Sequence, residues 1–547
     1  MQRRLSHWGW GYEDRFPDVE TRRLFAREVQ MFGGFDALTP REPTPLADAR
    51  LPAPRVTVDD PRLASIASAL PYDRASRAYG RSYRDIARGF EGDFSGAPDV
   101  VLRPTEEAQV AAALEWAAAR EVALVPYGGG TSVVGGVEVD ARDAYAGVAC
   151  LDLRGLDRVL EIDATSRAAR IEAGATGPRL EAQLRAHGLT LRFFPQSFEL
   201  STLGGWIATR AGGHFATRET HIDDLVESTR MLTGRGVFES RRLPGSGAGP
   251  SPDRLVMGSE GTLGVITEAW VRVRPRPRWR ASASVRFREW TGCVSATRAI
   301  AQSGLWPANC RVLDQREALL NRVAADGTHV LLLGFESADH DVRPAMDRAL
   351  ELARAHGGEC PDGVSEKRAV EDDDPGAARD EVSDRWRQAF LDAPYLMNSM
   401  VSLGVIADTF ETACTWDRLE ALHRGVIAAM KDAMRRVCGR GLVTCRFTHV
   451  YPDGAAPYFT FIAPAREGSA VSQWTELKHA ASEAVLAHGG TITHHHAVGR
   501  THRPWYERQR PEPFGDVLAA VKATLDPAGV LNPGVLVTAP RGPRAGG

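Results

Sequence analysis

Pro126-Tyr-Gly-Gly-Gly-Thr-Ser-Val-Val-Gly-Gly136 follows an apolar run, Val122-Ala-Leu-Val125, that reads as a strand, and precedes a second β-prone segment, Val137-Glu-Val139. Glycines let a backbone pass close to a ligand and turn its N–H groups inward, where they can hold a diphosphate without a lysine. The stretch lacks the Gly-Lys-Ser/Thr ending of a nucleotide-hydrolysing phosphate loop, and it is not a Gly-x-Gly-x-x-Gly that opens a helix. Alone it is compatible with a plain turn. Two further glycine-rich segments accompany it. One is Pro195-Gln-Ser-Phe-Glu-Leu-Ser-Thr-Leu-Gly-Gly-Trp-Ile-Ala-Thr-Arg-Ala-Gly-Gly213, and the other is Met257-Gly-Ser-Glu-Gly-Thr-Leu-Gly-Val-Ile-Thr-Glu268. Three such loops, each beside apolar runs, suit a long anionic cofactor gripped by main-chain donors.

At 547 residues the chain is too long for one core, so two or more domains are expected. Its 43% hydrophobic and 25% charged content is that of a globular enzyme. A net charge of −3 gives no reason for a nucleic-acid partner. The 7 cysteines form no Cys-x-x-Cys pair, which argues against a disulfide framework or structural zinc and for a reducing compartment. The basic start, Met1-Gln-Arg-Arg-Leu-Ser, is followed by no apolar stretch, and no run approaches the roughly 18 apolar residues that cross a bilayer. A cytoplasmic location is expected, with peripheral membrane contact and a homodimer left open. Residues 540–547 read as a loose tail. The lysines are Lys367, Lys431, Lys478 and Lys522, none in a motif, so Schiff-base chemistry is not expected.

Along the chain, residues 1–95 mix amphipathic and Pro-rich segments and read as an N-terminal helical extension. Residues 96–279 alternate strand-like and helical runs and contain all three loops. Residues 280–510 repeat the alternation, with long helical patterns at 418–437 and 473–488 that would cover one face of an antiparallel sheet. Residues 366–374 are acidic without apolar period and read as an exposed loop. Residues 511–547 read as a helix, a segment that returns to the first domain, and the tail.

Gly489-Gly-Thr-Ile-Thr-His-His-His-Ala-Val-Gly-Arg500 places three histidines at the end of a β-prone run. On a strand His494 and His496 would share a face and His495 would point the other way. His-x-His can supply two metal ligands, but spacing offers no third, so no metal is expected. An active-site wall that donates hydrogen bonds and carries positive charge suits histidine, whose charge is tuned near neutral pH. In Tyr458-Phe-Thr-Phe-Ile462 a strand would put Tyr458 and Thr460 on one face and Phe459 and Phe461 on the other. By itself such a tyrosine reads as packing.

The three loops and their spacing resemble the FAD-binding oxidases of the vanillyl-alcohol oxidase type. The wider pattern resembles the alkyldihydroxyacetonephosphate synthase family. It starts at Trp8-Gly-Trp-Gly-Tyr12 and continues through Ala308-Asn-Cys-Arg-Val-Leu-Asp314, Phe410-Glu-Thr-Ala-Cys-Thr-Trp-Asp-Arg418, Thr444-Cys-Arg446, Tyr458-Phe, the triple histidine and the Asp526-Pro end. The resemblance implies an α+β fold: a two-lobed PCMH-type FAD-binding domain plus an α+β cap domain with an antiparallel sheet. It assigns FAD to Pro126, Gly128, Gly129, Gly130, Thr131, Ser132, Val133, Gln196, Ser197, Ser201, Thr202, Gly205, Thr209, Arg210, Glu260, Gly261, Gly264 and Ile266. With no histidine in the first loop, FAD is expected to be held non-covalently, His214 in the second being the first alternative anchor to test.

The family's reaction exchanges the acyl chain of acyl-dihydroxyacetone phosphate for a long-chain alcohol, using FAD without net oxidation through a covalent adduct at flavin N5. By resemblance Tyr458 moves a proton at the reacting carbon, His494, His495 and His496 match a histidine run needed for activity, and Arg311 matches an arginine required near the flavin. A phenol has an unperturbed pKa of about 10, so Tyr458 needs nearby positive charge, which the histidines and Arg311 would supply. Two departures stand out. Tyr395-Leu-Met-Asn398 replaces the family's Tyr-Ile/Leu-Arg-Asp, so Met397 stands where a cation implicated in substrate binding is usual; Arg446 is the replacement clamp the sequence offers. Gln196 replaces an aspartate of the animal enzymes. The alternative reading is an FAD-dependent dehydrogenase or oxidase of a hydroxy acid or other small alcohol or carbonyl substrate, whose family members typically have Gly-Glu-His-Gly where this chain has His494-His-His-Ala497.

Overall fold

The structure is a computed structural model and describes residues 3–139, 142–368 and 381–537, the side chains of 381–391 excepted. Residues 369–374 of the acidic segment and the tail 540–547 lie outside the described residues; Val364–Arg368 is an edge strand.

Two sheets make the two lobes of the first domain. In one, Val122–Tyr127 and Val100–Leu102 flank Gly147–Asp152 in parallel, and Ala67–Ser68 adds an antiparallel edge. Such strands are covered on both faces, which is why Val122-Ala-Leu-Val125 reads as an unbroken apolar run. The helix Glu107–Arg120 makes the crossover and packs its buried Val110, Leu114 and Trp116 on this sheet. The other sheet is antiparallel, in the order Val159–Asp163, Ala168–Glu172, Val265–Arg272, Val226–Thr233, Gly236–Glu239. The helices Gly177–Arg185 and Leu203–Thr209 close its core.

The cap is an antiparallel sheet in the order Val364–Arg368, Trp279–Phe287, His329–Ser337, Asn309–Leu313, Leu442–Val450, Gly454–Pro464, Val405–Glu411. The helices Trp416–Cys438 and Ala470–Ala487 pack beside it, where Val426, Met430 and Leu477 share a core with Phe459 and Phe461. The period of two along Gly454–Pro464 therefore turns Tyr458 and Thr460 to the opposite face, toward a cavity.

One expectation changes. Val137-Glu-Val139 forms no strand, because the first loop continues through it. The first 95 residues contain the helices Val19–Gly33 and Tyr83–Phe90. Their described part adds Ala67–Ser68 to the first sheet and sends Trp8 and Trp10 into the cap core. In the C-terminal segment Val530 O accepts from Leu124 N–H (2.8 Å), and Asn532 N–H donates to Leu124 O (2.9 Å).

Candidate active site

The three glycine-rich loops converge on one cavity of about 490 Å³. Every residue assigned to FAD lines it except Arg210. Arg210 instead ends the helix Leu203–Thr209 in the left-handed conformation (φ 51°), and its Nε donates to Asp223 Oδ2 at 2.8 Å. A Cβ on Gly128 would lie 2.3 Å from Thr202 Oγ1, and one on Gly129 2.0 Å from Leu200 O, so only glycine lets the first two loops touch. Asn532 Nδ2 donates to Gly136 O (2.9 Å) and Glu260 O (2.7 Å), tying the first and third loops to the C-terminal segment. The carboxylate of Glu260 accepts from Val498 N–H (2.9 Å) and Gly499 N–H (2.8 Å); burial nevertheless pushes it up to about 7. Main-chain groups, the hydroxyls of Thr131, Ser132, Ser197 and Ser201, and Arg81 make a donor set that fits the diphosphate of FAD. His214 is packed between Phe194 and Phe215, at ring centroid distances of 4.8 and 4.3 Å, and does not line the cavity.

Across the cavity Tyr458 is buried, its hydroxyl donating to Thr409 Oγ1 at 2.9 Å. The Arg446 guanidinium lies 3.9 Å from the ring centroid. Burial pushes the phenol up and Arg446 pulls against it. Arg446 is itself gripped: Nη1 donates to Glu317 Oε1 at 2.7 Å. Arg311, on the neighbouring strand, donates from Nη2 to His214 O at 3.2 Å, and burial with the adjacent Arg446 brings it down to about 10. Met397 lines the same cavity from the helix Glu381–Ser402. The next residue, Asn398, accepts from Trp10 N–H (2.8 Å) and donates to Trp10 O (3.0 Å). An aspartate could not make both bonds.

The histidines depart from expectation in four respects. They lie on a bend, not on a strand. His495 and His496 line the cavity, whereas His494 sits behind, with Nδ1 3.0 Å from His495 Nδ1 and Nε2 2.6 Å from the Tyr451 hydroxyl. A third imidazole that spacing could not supply is present: nitrogens of His449, His494 and His495 lie within 4.8 Å of one another. Those of His449 face Gly213 O (3.1 Å) and Thr448 Oγ1 (3.0 Å). Finally, burial outweighs the Glu411 charge, bringing His495 down to about 3 and His496 to about 4, and holding His494 well below the usual range. The wall is thus neutral near pH 7, and the cation that faces Tyr458 is Arg446.

Sequence reasoning passed over Thr409, Glu411, His449 and Tyr451, all brought in by neighbouring strands. It also set aside Lys478, whose buried Nζ donates to Thr409 O at 2.7 Å, directly behind the acceptor of the Tyr458 hydroxyl. It missed an apolar arm as well. Besides Met397 the cavity is lined by Phe25, Val29, Phe32, Leu396, Met400 and Ile462, together with the ion pair of Glu28 and Arg322. Phe32 and Leu396 are 46% and 45% exposed, so this arm opens at the surface.

The FAD binding domain family matches residues 98–240, and the C-terminal domain family of FAD linked oxidases matches residues 276–536. An alkyldihydroxyacetonephosphate synthase of Dictyostelium discoideum is 30% identical over 85% of this chain and 77% of its own length. That of Trypanosoma brucei brucei is 28% identical over 86% and 78%. A glycolate oxidase subunit of Bacillus subtilis (strain 168) is 24% identical over 80% and 89%. A solved alkyldihydroxyacetonephosphate synthase superposes with a TM-score of 0.78 over 97% of both chains at 22% identity, a likeness of fold. FAD is the cofactor of this architecture. With these relatives and this site, the chain belongs to the alkyldihydroxyacetonephosphate synthase family of FAD-linked enzymes.

Proposed function

We propose that this enzyme exchanges the acyl chain of an acyl-dihydroxyacetone phosphate for a long-chain alcohol, forming the ether bond of an ether lipid precursor. One observation carries the reading: a single cavity joins the FAD loops, Tyr458 and an apolar arm that opens at the surface. A small hydroxy acid needs no such arm; an alkyl chain does, since each buried methylene contributes about 0.8 kcal/mol. Among the described residues no helix is long and apolar enough to cross a membrane.

The geometry supports the following roles. The apolar arm takes the acyl chain and then the alcohol chain, and Met397 marks its junction with the polar end. The departing acyl group leaves as a carboxylate, an anion that Arg311 and Arg446 are placed to stabilise. Tyr458, a neutral phenol at rest, is held by Thr409 Oγ1 and moves the proton at the reacting carbon, with the Arg446 guanidinium over its ring favouring the charged form. The neutral imidazoles of His495 and His496 can accept the hydroxyl proton of the incoming alcohol. FAD, when bound, would supply a ring that can take up an electron pair from the substrate carbon and return it, so that the exchange involves no net oxidation.

The test is mass spectrometry of products from acyl-dihydroxyacetone phosphate and a labelled fatty alcohol. The label should appear in an alkyl ether, with one fatty acid released per ether formed. No ether, together with anaerobic bleaching of the flavin by an α-hydroxy acid, would replace this reading with that of a dehydrogenase.

A further inference from the structure

Glu411 is 2% exposed and forms the end of the strand Val405–Glu411, directly opposite Tyr458 on its neighbour. Its carboxylate receives three consecutive main-chain donors. His494 N–H reaches Oε2 at 2.6 Å, and His495 N–H and His496 N–H reach Oε1 at 3.1 and 2.9 Å. The hydroxyl of Thr493 donates to the same Oε1 at 2.6 Å. The ring Nδ1 atoms of His495 and His496 face the two oxygens at 3.6 and 3.7 Å. Glu411 does not line the cavity and cannot meet the substrate.

We propose that Glu411 is the positioning residue of the catalytic wall, one carboxylate that fixes the bend of the histidine run and turns each Nε2 of His495 and His496 toward the cavity. Three consecutive N–H groups aimed at one point make a concave anion site, here filled by the protein's own side chain. A full negative charge is needed. An ionised carboxylate is acceptor-only and takes all four donors, whereas an amide of the same shape offers one oxygen and sets an N–H pair against the remaining donors. The charge also stabilises an imidazolium formed when His495 or His496 takes up a proton. Because Glu411 and Tyr458 are paired across adjacent strands, one residue registers the phenol and the imidazoles to each other. The charged and titratable groups facing this carboxylate are His494, His495, His496, Tyr458, Tyr451, Lys478 and His502.

The experiment uses the FAD-loaded full chain and the variants Glu411→Gln and Glu411→Asp. Turnover is measured with acyl-dihydroxyacetone phosphate, and hydrogen exchange is measured on the peptide that covers 493–497. The turnover arm rests on the function proposed above; the exchange arm does not. Glu411→Gln should keep FAD content and KM within about threefold while kcat falls at least about a hundredfold, the scale of a lost proton-transfer group. Amide exchange should rise in 493–497 and nowhere else. Glu411→Asp keeps the charge and should retain more activity than Glu411→Gln despite its shorter reach. Three outcomes would overturn the proposal: Glu411→Gln with near-wild-type kcat and unchanged exchange, Glu411→Asp no better than Glu411→Gln, or loss of FAD and fold in both, since the carboxylate would then serve the core and not the histidines.

Discussion

Tyr458 and Met397 are the two residues at which single atoms decide the chemistry. Tyr458→Phe keeps the ring under Arg446 and deletes one hydroxyl, whose bond to Thr409 is worth about 1 kcal/mol. The fold and FAD content should survive, and kcat should fall roughly 10²- to 10⁴-fold. Near-wild-type turnover would return Tyr458 to packing. Met397 faces the other question, what holds the headgroup. Arg446, the replacement clamp suggested by sequence, is already engaged by Glu317 and the Tyr458 ring, and Arg311 on the neighbouring strand lines the same cavity. Met397→Arg adds a cation to the cavity where the sequence departs from the family pattern. With a phosphate ester it should lower KM about ten- to hundredfold, the worth of a charge-assisted hydrogen bond. With a phosphate-free analogue the same change buries an unpaired cation and should depress kcat/KM. Wild-type activity confined to the phosphate-free compound would sink the ether-lipid reading.

Among the elements, the loops were legible in the sequence and the wall was not. Glycine-rich loops announce themselves because their constraint is local: Gly130 and Gly261 adopt φ of 65° and 71°, and Gly128 and Gly129 meet the second loop at van der Waals limits. The strand Gly454–Pro464 was legible for the same reason, its period of two being a property of one segment. The histidine run was visible but its shape was not, because the bend is imposed by Glu411 from a strand some eighty residues earlier. His449 joins the cluster only through strand pairing, and the helix Val19–Gly33 reaches the cavity only through tertiary packing. The missing histidine in the first loop has a consequence at this scale. Among the described residues His449, His495 and His496 line the cavity, all on the cap side of it, and His214 is packed away between aromatic rings. Acid precipitation should release all yellow colour into the supernatant; colour kept in the pellet would show a covalent anchor.

For the molecule as a whole, its buried neutral imidazoles set how it answers to acid. His423 and His502 are brought down to about 4 by burial, as His496 is; His495 falls to about 3, and His449 and His494 lie well below the usual range. In the unfolded chain each would titrate near 6.5. A depressed folded value means that the unfolded state binds more protons between the two values, so this contribution to stability is complete above about pH 6.5 and is lost as pH falls toward 4. At pH 5 the loss is roughly 2 kcal/mol per histidine, and several together rival the 5–15 kcal/mol of a typical domain. Glu260 and Asp314 act in the opposite sense, because burial raises them to about 7 and about 6 and the fold gains as they protonate. Two carboxyls of that size do not offset the histidine cluster. The melting temperature of the FAD-loaded chain should therefore fall steeply from pH 7.5 to pH 5, and His502→Gln, which removes one such group outside the cavity lining, should reduce that slope. A melting temperature that is flat or rises on acidification would mean that the wall carries protons in the folded state, and the cation facing Tyr458 would then not be Arg446 alone.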